Sequence, residues 1–134
     1  MQGGRPIDCK GVIPTDVDVS APSFTEKDRA DASFILDQGV DFLVLSYVRR
    51  RKDVDQLRTL MSAHQRQAAL VAKMERPEAL SHIDSILDAS NAIMIARGDL
   101  GVEWPPEQVP AIQQKLLDRA RQRRCPVIVA TRML

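Results

Sequence analysis

Four short apolar runs punctuate the chain, and an amphipathic stretch precedes each of them. The runs are DFLVLSYV at 41–48, AALVAKM at 68–74, NAIMIAR at 91–97 and PVIVAT at 126–131, each the length of a buried strand. Between them, apolar residues recur at helical spacing. Val54, Leu57, Leu60, Met61 and His64 share one face of 52–64. Leu80, Ile83, Ile86 and Leu87 share one face of 77–90, behind Pro77 at a first helical position. Val109, Ile112, Leu116 and Ala120 form a stripe along 106–123. A first helix is expected over 24–39, with Thr25 as N-cap, Glu26 and Asp28 at the positive end of the dipole, and Gly39 just past the last turn. Residues 1–24 carry Gly, Pro and Asp without a sustained period. They read as a lead-in, with one short strand expected at 17–19.

Strands alternating with helices imply a parallel sheet with right-handed crossovers. Strands apolar almost throughout suit a sheet covered on both faces. An open doubly wound sheet and a (β/α)8 barrel both fit. No G-x-G-x-x-G turn follows any strand, which counts against a dinucleotide-binding sheet. The strands instead share polar or small residues at their C-terminal ends: Ser46, Lys73 with Glu75, Arg97-Gly98-Asp99, and Thr131. Chemistry at that rim is the habit of barrels. A closed eight-stranded barrel takes ~250 residues, so 134 residues with four strands make about half of one. The expectation is an α/β fragment, a partial TIM barrel over 25–134, left with exposed edge strands and poor stability.

Charge and composition narrow the partners. A formal charge of +1 gives no reason to expect nucleic acid or an anionic membrane, and 4% aromatic residues make a base-stacking surface implausible. No run approaches the ~20 apolar residues of a membrane span, and no signal-peptide core is visible, so a cytoplasmic location is expected. Cys9 and Cys125 lack metal-ligand spacing and read as reduced thiols. The basic clusters at 49–52 and 119–124 read as solvated helix surface. His64, His82 and Trp104 have no assigned chemistry.

The stretch AALVAKMERP carries the sharpest question. Residues two apart on a strand point the same way, so Lys73 and Glu75 project side by side. Asp99 follows the next strand, and neighbouring parallel strands lie ~4.8 Å apart. Two carboxylates at adjacent rims, with waters and a substrate's oxygens, are a usual way to hold Mg²⁺ or Mn²⁺. A lysine beside them would neutralise a transferring phosphoryl group or an enolate. Gly98 lets backbone approach a ligand, the amides of RGDLG can bind its carboxylate, and Thr131 can supply a hydroxyl. A plain surface ion pair remains the competing reading of Lys73 and Glu75.

DFLVLSYVR, VAKMERPEAL, ILDASNAIMIARGDLGVEWPPEQVPAIQQKLL and PVIVATRML together resemble pyruvate kinase, as do KGV at 10–12, Pro14, Pro22 and TEKD at 25–28. The resemblance covers essentially the whole chain and implies the middle of the catalytic barrel, with 1–24 returning from a lid domain. It implies transfer of a phosphoryl group from phosphoenolpyruvate to ADP, giving pyruvate and ATP, with Mg²⁺ or Mn²⁺, K⁺ and a homo-tetramer in the full-length enzyme. By that resemblance Lys73 stabilises the phosphoryl transfer and the enolate, and Glu75 and Asp99 are the metal ligands. Gly98 and Asp99 bind the substrate carboxylate, Thr131 assists enolate protonation, and Ser46 and Arg97 have supporting roles. Tyr47 stands in place of the family's usual Phe, Arg132 of Gln, and Asn91-Ala92 of Asp-Gly; Met74 and Arg76 stand in place of the Ile and Asn of Lys-Ile-Glu-Asn. The early barrel strands, most of the lid and the effector domain are not in the chain, so the isolated chain is expected to be inactive. A metal-dependent lyase acting on pyruvate-type enolates, and a truncated relic without catalysis, are the alternatives. A lyase has no need for Lys73.

Overall fold

A computed structural model of the chain describes residues 24–64 and 68–130. The expected lead-in and its strand at 17–19, together with Cys9, Thr131 and Arg132, lie outside the described residues. Helix α1 spans Glu26–Asp37, β1 Phe42–Leu45, α2 Arg51–Ala63 and β2 Ala69–Met74. Helices α3, Pro77–Ser81, and α4, Ile83–Ala89, follow, then β3, Ala92–Ala96, and α5, Arg97–Glu103. A 3₁₀ turn at Pro106–Gln108 leads into α6, Val109–Gln122, and β4, Val127–Ala130, completes the order.

All strand pairings among the described residues are parallel, and the sheet order is β1-β2-β3-β4. That monotonic order decides between the two candidate folds. A doubly wound sheet reverses its strand order at a switch point. Right-handed crossovers that always step the same way instead put every helix on one face, as in an arc of a (β/α)8 barrel.

The helix-bearing face is the core. Leu43, Leu45, Leu70, Met74, Ile93 and Ile95 pack with Leu36 of α1, Leu57 of α2, Ile86 of α4 and Leu116 of α6. The opposite face carries the alternate residues of the same register. There Phe42 is 64% exposed, Val44 44% and Ile128 42%. On that face the outer strands β1 and β4 expose apolar side chains, whereas Val71 and Ala92 at its centre are buried.

Helix ends follow the sequence closely. Thr25 caps α1 in a capping box: its Oγ1 accepts the Asp28 amide at 3.2 Å and Asp28 Oδ2 accepts the Thr25 amide at 2.8 Å. Gly39 sits at C′ with φ +77°, its amide donating to Leu36 O. Two differences stand out. The expected helix over 77–90 is broken at His82 (φ −115°, ψ 13°), giving α3 and α4. The RGDLG segment, whose amides are expected to bind a substrate carboxylate, lies in α5 directly after β3, a helix the sequence pattern does not predict. Two glycines in seven residues hide its helical character from propensity, while burial of Leu100 supplies what propensity lacks.

Candidate active site

The C-terminal end of β2 places Lys73 on the sheet face that the helices leave open, two residues after Val71 and two before Glu75. Its ammonium joins both carboxylates: Lys73 Nζ lies 2.8 Å from Glu75 Oε2 and 2.8 Å from Asp99 Oδ2. Asp99 is brought there by the first turn of α5. The Glu75 side chain is only 3% exposed. A buried carboxylate is costly unless it is paired and hydrogen-bonded, and it has a second partner in the Tyr47 amide, which donates to Oε1 at 2.7 Å. Sequence reading missed that contact. Tyr47 reaches it with φ +55°, a left-handed backbone that a bulky residue rarely adopts, and no side-chain pattern signals a backbone donor.

Electrostatics follow from this geometry. Burial alone would lower the Lys73 pKa, but hydrogen bonds to Asp99 and Glu75 and their charges outweigh it, so the group is raised above its ordinary value. Asp99 is held below the usual carboxylate range, chiefly by the hydrogen bond from Lys73 and against the opposing effect of partial burial. The lysine is therefore an ammonium across the neutral range. Lysines that form Schiff bases are poised the other way.

The remaining rim residues are more dispersed. Ser46 follows β1 and lines a groove with Phe24, Asp28 and Asp31 on the α1 side. What reaches Glu75 from that strand end is the Tyr47 amide. Arg97, Gly98 and Gly101 line a cavity of about 380 Å³ with Val102, Pro106 and Val109, beside α5. Arg97 Nε is buried there without a hydrogen-bond partner among the described residues. His64 caps α2 with Nδ1 3.1 Å from Asp37 Oδ1, and His82 divides α3 from α4. Neither belongs to this cluster.

The family model for the pyruvate kinase barrel domain matches residues 2–134. This chain belongs to the pyruvate kinase family. It is 45% identical over 134 residues to the pyruvate kinase of Mycobacterium intracellulare, covering all of this chain and 28% of that protein. It is 46% identical over 133 residues to that of Corynebacterium efficiens, covering 99% of this chain and 28% of the relative. The pyruvate kinase of Geobacillus stearothermophilus is 46% identical over 135 residues, covering 100% of this chain and 23% of its own length. The chain thus spans about a quarter of the relatives it matches.

The fit of a divalent cation is a question of donor chemistry. Among the described residues no group of three or more His, Cys, Asp or Glu side chains could enclose a metal ion. Glu75 and Asp99 nonetheless converge on one positive centre, the Lys73 ammonium. Two hard oxygen donors without a closed protein cage suit Mg²⁺, which keeps waters and takes further oxygens from substrate. No described helix is long and apolar enough to cross a membrane.

Proposed function

We propose that this chain is part of a pyruvate kinase that moves a phosphoryl group from phosphoenolpyruvate to ADP, releasing pyruvate and ATP. The observation that carries the reading is the Lys73 ammonium held between Glu75 and Asp99 at the strand ends, in a chain of this family. Lys73, kept protonated by its carboxylates, faces the substrate as a fixed positive charge. It stabilises the phosphoryl oxygens during transfer and the enolate oxygen left behind. Glu75, buried and oriented by the Tyr47 amide, and Asp99, oriented by α5, would hold Mg²⁺ or Mn²⁺. When bound, that ion supplies Lewis-acid neutralisation of phosphate and enolate oxygens. The segment of Gly98 and Asp99 binds the substrate carboxylate, and Thr131 assists protonation of the enolate. Ser46 and Arg97 line the approaches. K⁺, a homo-tetrameric assembly and a cytoplasmic location complete the proposal for the whole protein.

The test is phosphoenolpyruvate-dependent ATP formation by the whole protein with Mg²⁺. Lys73→Gln should lower kcat by on the order of 10²-fold or more, as loss of a charge-stabilising donor does. Undiminished ATP formation in that variant would overturn the role of Lys73. Retained aldol cleavage of a pyruvate adduct, without phosphoryl transfer in the parent, would favour the lyase. The 134-residue chain alone should give no ATP, because it brings one lysine and two carboxylates to the site without a nucleotide clamp.

A further inference from the structure

Behind the Lys73 cluster lies a second ion pair to which neither the family resemblance nor the proposed chemistry gives a role. Arg76 follows Glu75 directly, and its Nη1 lies 2.5 Å from Glu103 Oε1. The two side chains are 12% and 10% exposed. Arg76 Nη2 also lies 3.4 Å from Glu78 Oε1. This arginine stands where the family pattern has asparagine.

The placement of the partners gives the pair its meaning. Glu103 is the last residue of α5 and Asp99 sits in its first turn. Positions four apart share one helix face. The same face of α5 is therefore tied twice to the end of β2: Asp99 to Lys73, and Glu103 to Arg76, the neighbour of Glu75. Helix α5 has only seven residues, two of them glycine, and so short a helix does not hold itself in water. Besides the buried Leu100 and the half-buried Trp104, this nearly dry ion pair fixes where α5 lies.

We propose that the Arg76–Glu103 pair is a positioning device that pins α5 so that Asp99 meets Lys73 and Glu75. The proposal rests on the reading of that cluster as the cation and substrate site. Its consequence is that Arg76, which touches none of the reacting groups, governs the divalent-cation affinity of the two carboxylates.

The experiment uses the whole protein with Arg76→Gln, Glu103→Gln, the double variant and Arg76→Lys. Arg123→Gln serves as control, because it breaks a surface pair with Asp84 and Asp88 at the far end of α6. Three quantities are read: amide hydrogen exchange across α4, α5 and α6; the rate of Lys73 acylation, which rises when its carboxylates leave it; and Mn²⁺ affinity. Both single variants should lose protection in α5 while α4 and α6 keep theirs, and Lys73 should acylate faster. Mn²⁺ binding should weaken roughly tenfold or more, the usual effect of removing a residue that orients a ligand. The double variant should be no worse than either single, and Arg76→Lys should recover part of the loss. Unchanged α5 protection, a uniform loss of protection matched by Arg123→Gln, or loosened α5 with parental Lys73 reactivity would each overturn the proposal. Absence of Mn²⁺ binding by the parent chain would overturn the cation reading instead, and α5 exchange with Lys73 acylation would still decide the positioning role.

Discussion

Lys73 and Asp99 form a pair whose members are shifted in opposite directions. Asp99 has a lowered pKa in the folded chain, so its stabilisation is complete above the unfolded value and is lost as pH falls through the folded one. Asp28, held low by the Thr25 hydroxyl and amide, adds to the same acid limb. Lys73 has a raised pKa, so its contribution is complete below its unfolded value and is lost as pH rises through the folded one. Urea midpoints should therefore be flat between roughly pH 5 and pH 9 and decline on both sides, from the reference values of the groups. Asp99→Asn should flatten part of the acid limb, and an unchanged acid limb would show that Asp99 is unpaired in solution. A second residue-scale prediction concerns Arg124, which adopts φ +53° at the C′ position of α6. The Cys125 amide donates to Ala120 O and the Arg124 amide to Arg121 O, the pattern of a Schellman cap. Arg124→Gly should raise stability by about 0.5–1 kcal/mol, measured by chemical denaturation, since the left-handed penalty outweighs the added chain entropy. Spacing placed Lys73, Glu75 and Asp99 at neighbouring strand ends, but the Lys73–Asp99 and Arg76–Glu103 contacts were not expected. Nor were the Tyr47 amide and the Arg124 cap, because positive φ is imposed by neighbours and leaves no mark in residue type.

At the scale of elements, periodicity located α1, α2, α6 and all four strands to within a few residues, since each has a buried face of the right period. Helix α5 was not expected, because two glycines in seven residues lower its helix propensity. Gly101 has open space where a Cβ would stand, so Gly101→Ala should strengthen α5 by about 0.5–1 kcal/mol. Slower amide exchange confined to α5 would confirm it, and unchanged exchange would refute it. The break at His82 was also invisible, because the stripe Leu80, Ile83, Ile86 and Leu87 runs across it without a change of period. Asn91, which stands where the family has Asp, does more than pack. Its Oδ1 accepts the Leu70 amide at 2.9 Å and Arg58 Nη2 at 3.1 Å, and Arg58 Nε donates to Ala89 O. Together these tie α2, the end of α4 and the entry of β3 to the start of β2, at the rim opposite the Lys73 cluster.

For the whole molecule, the exposed side chains of the sheet decide how the 134-residue chain behaves. Exposed Phe42 and Val44 on β1 and Ile128 on β4 leave apolar side chains open at the two edges of the described sheet, and exposed apolar side chains on edge strands are an aggregation hazard. The isolated chain should bind a hydrophobic dye and self-associate. Replacing all three residues by Thr should reduce both without lowering the thermal midpoint. Dye binding unchanged in the triple variant would place the sticky surface elsewhere. The sequence by itself determined the alternation of strands and helices, the parallel sheet and the residues gathered at its rim. Those properties depend on period, length and spacing, which are local. Tertiary structure alone decided that the strand order never reverses among the described residues, that Phe42, Val44 and Ile128 are exposed, and that Lys73 sits between two carboxylates with an arginine staple behind them. Strand order, sheet facing and ion-pair geometry depend on contacts between residues far apart in the chain, and no local pattern encodes them.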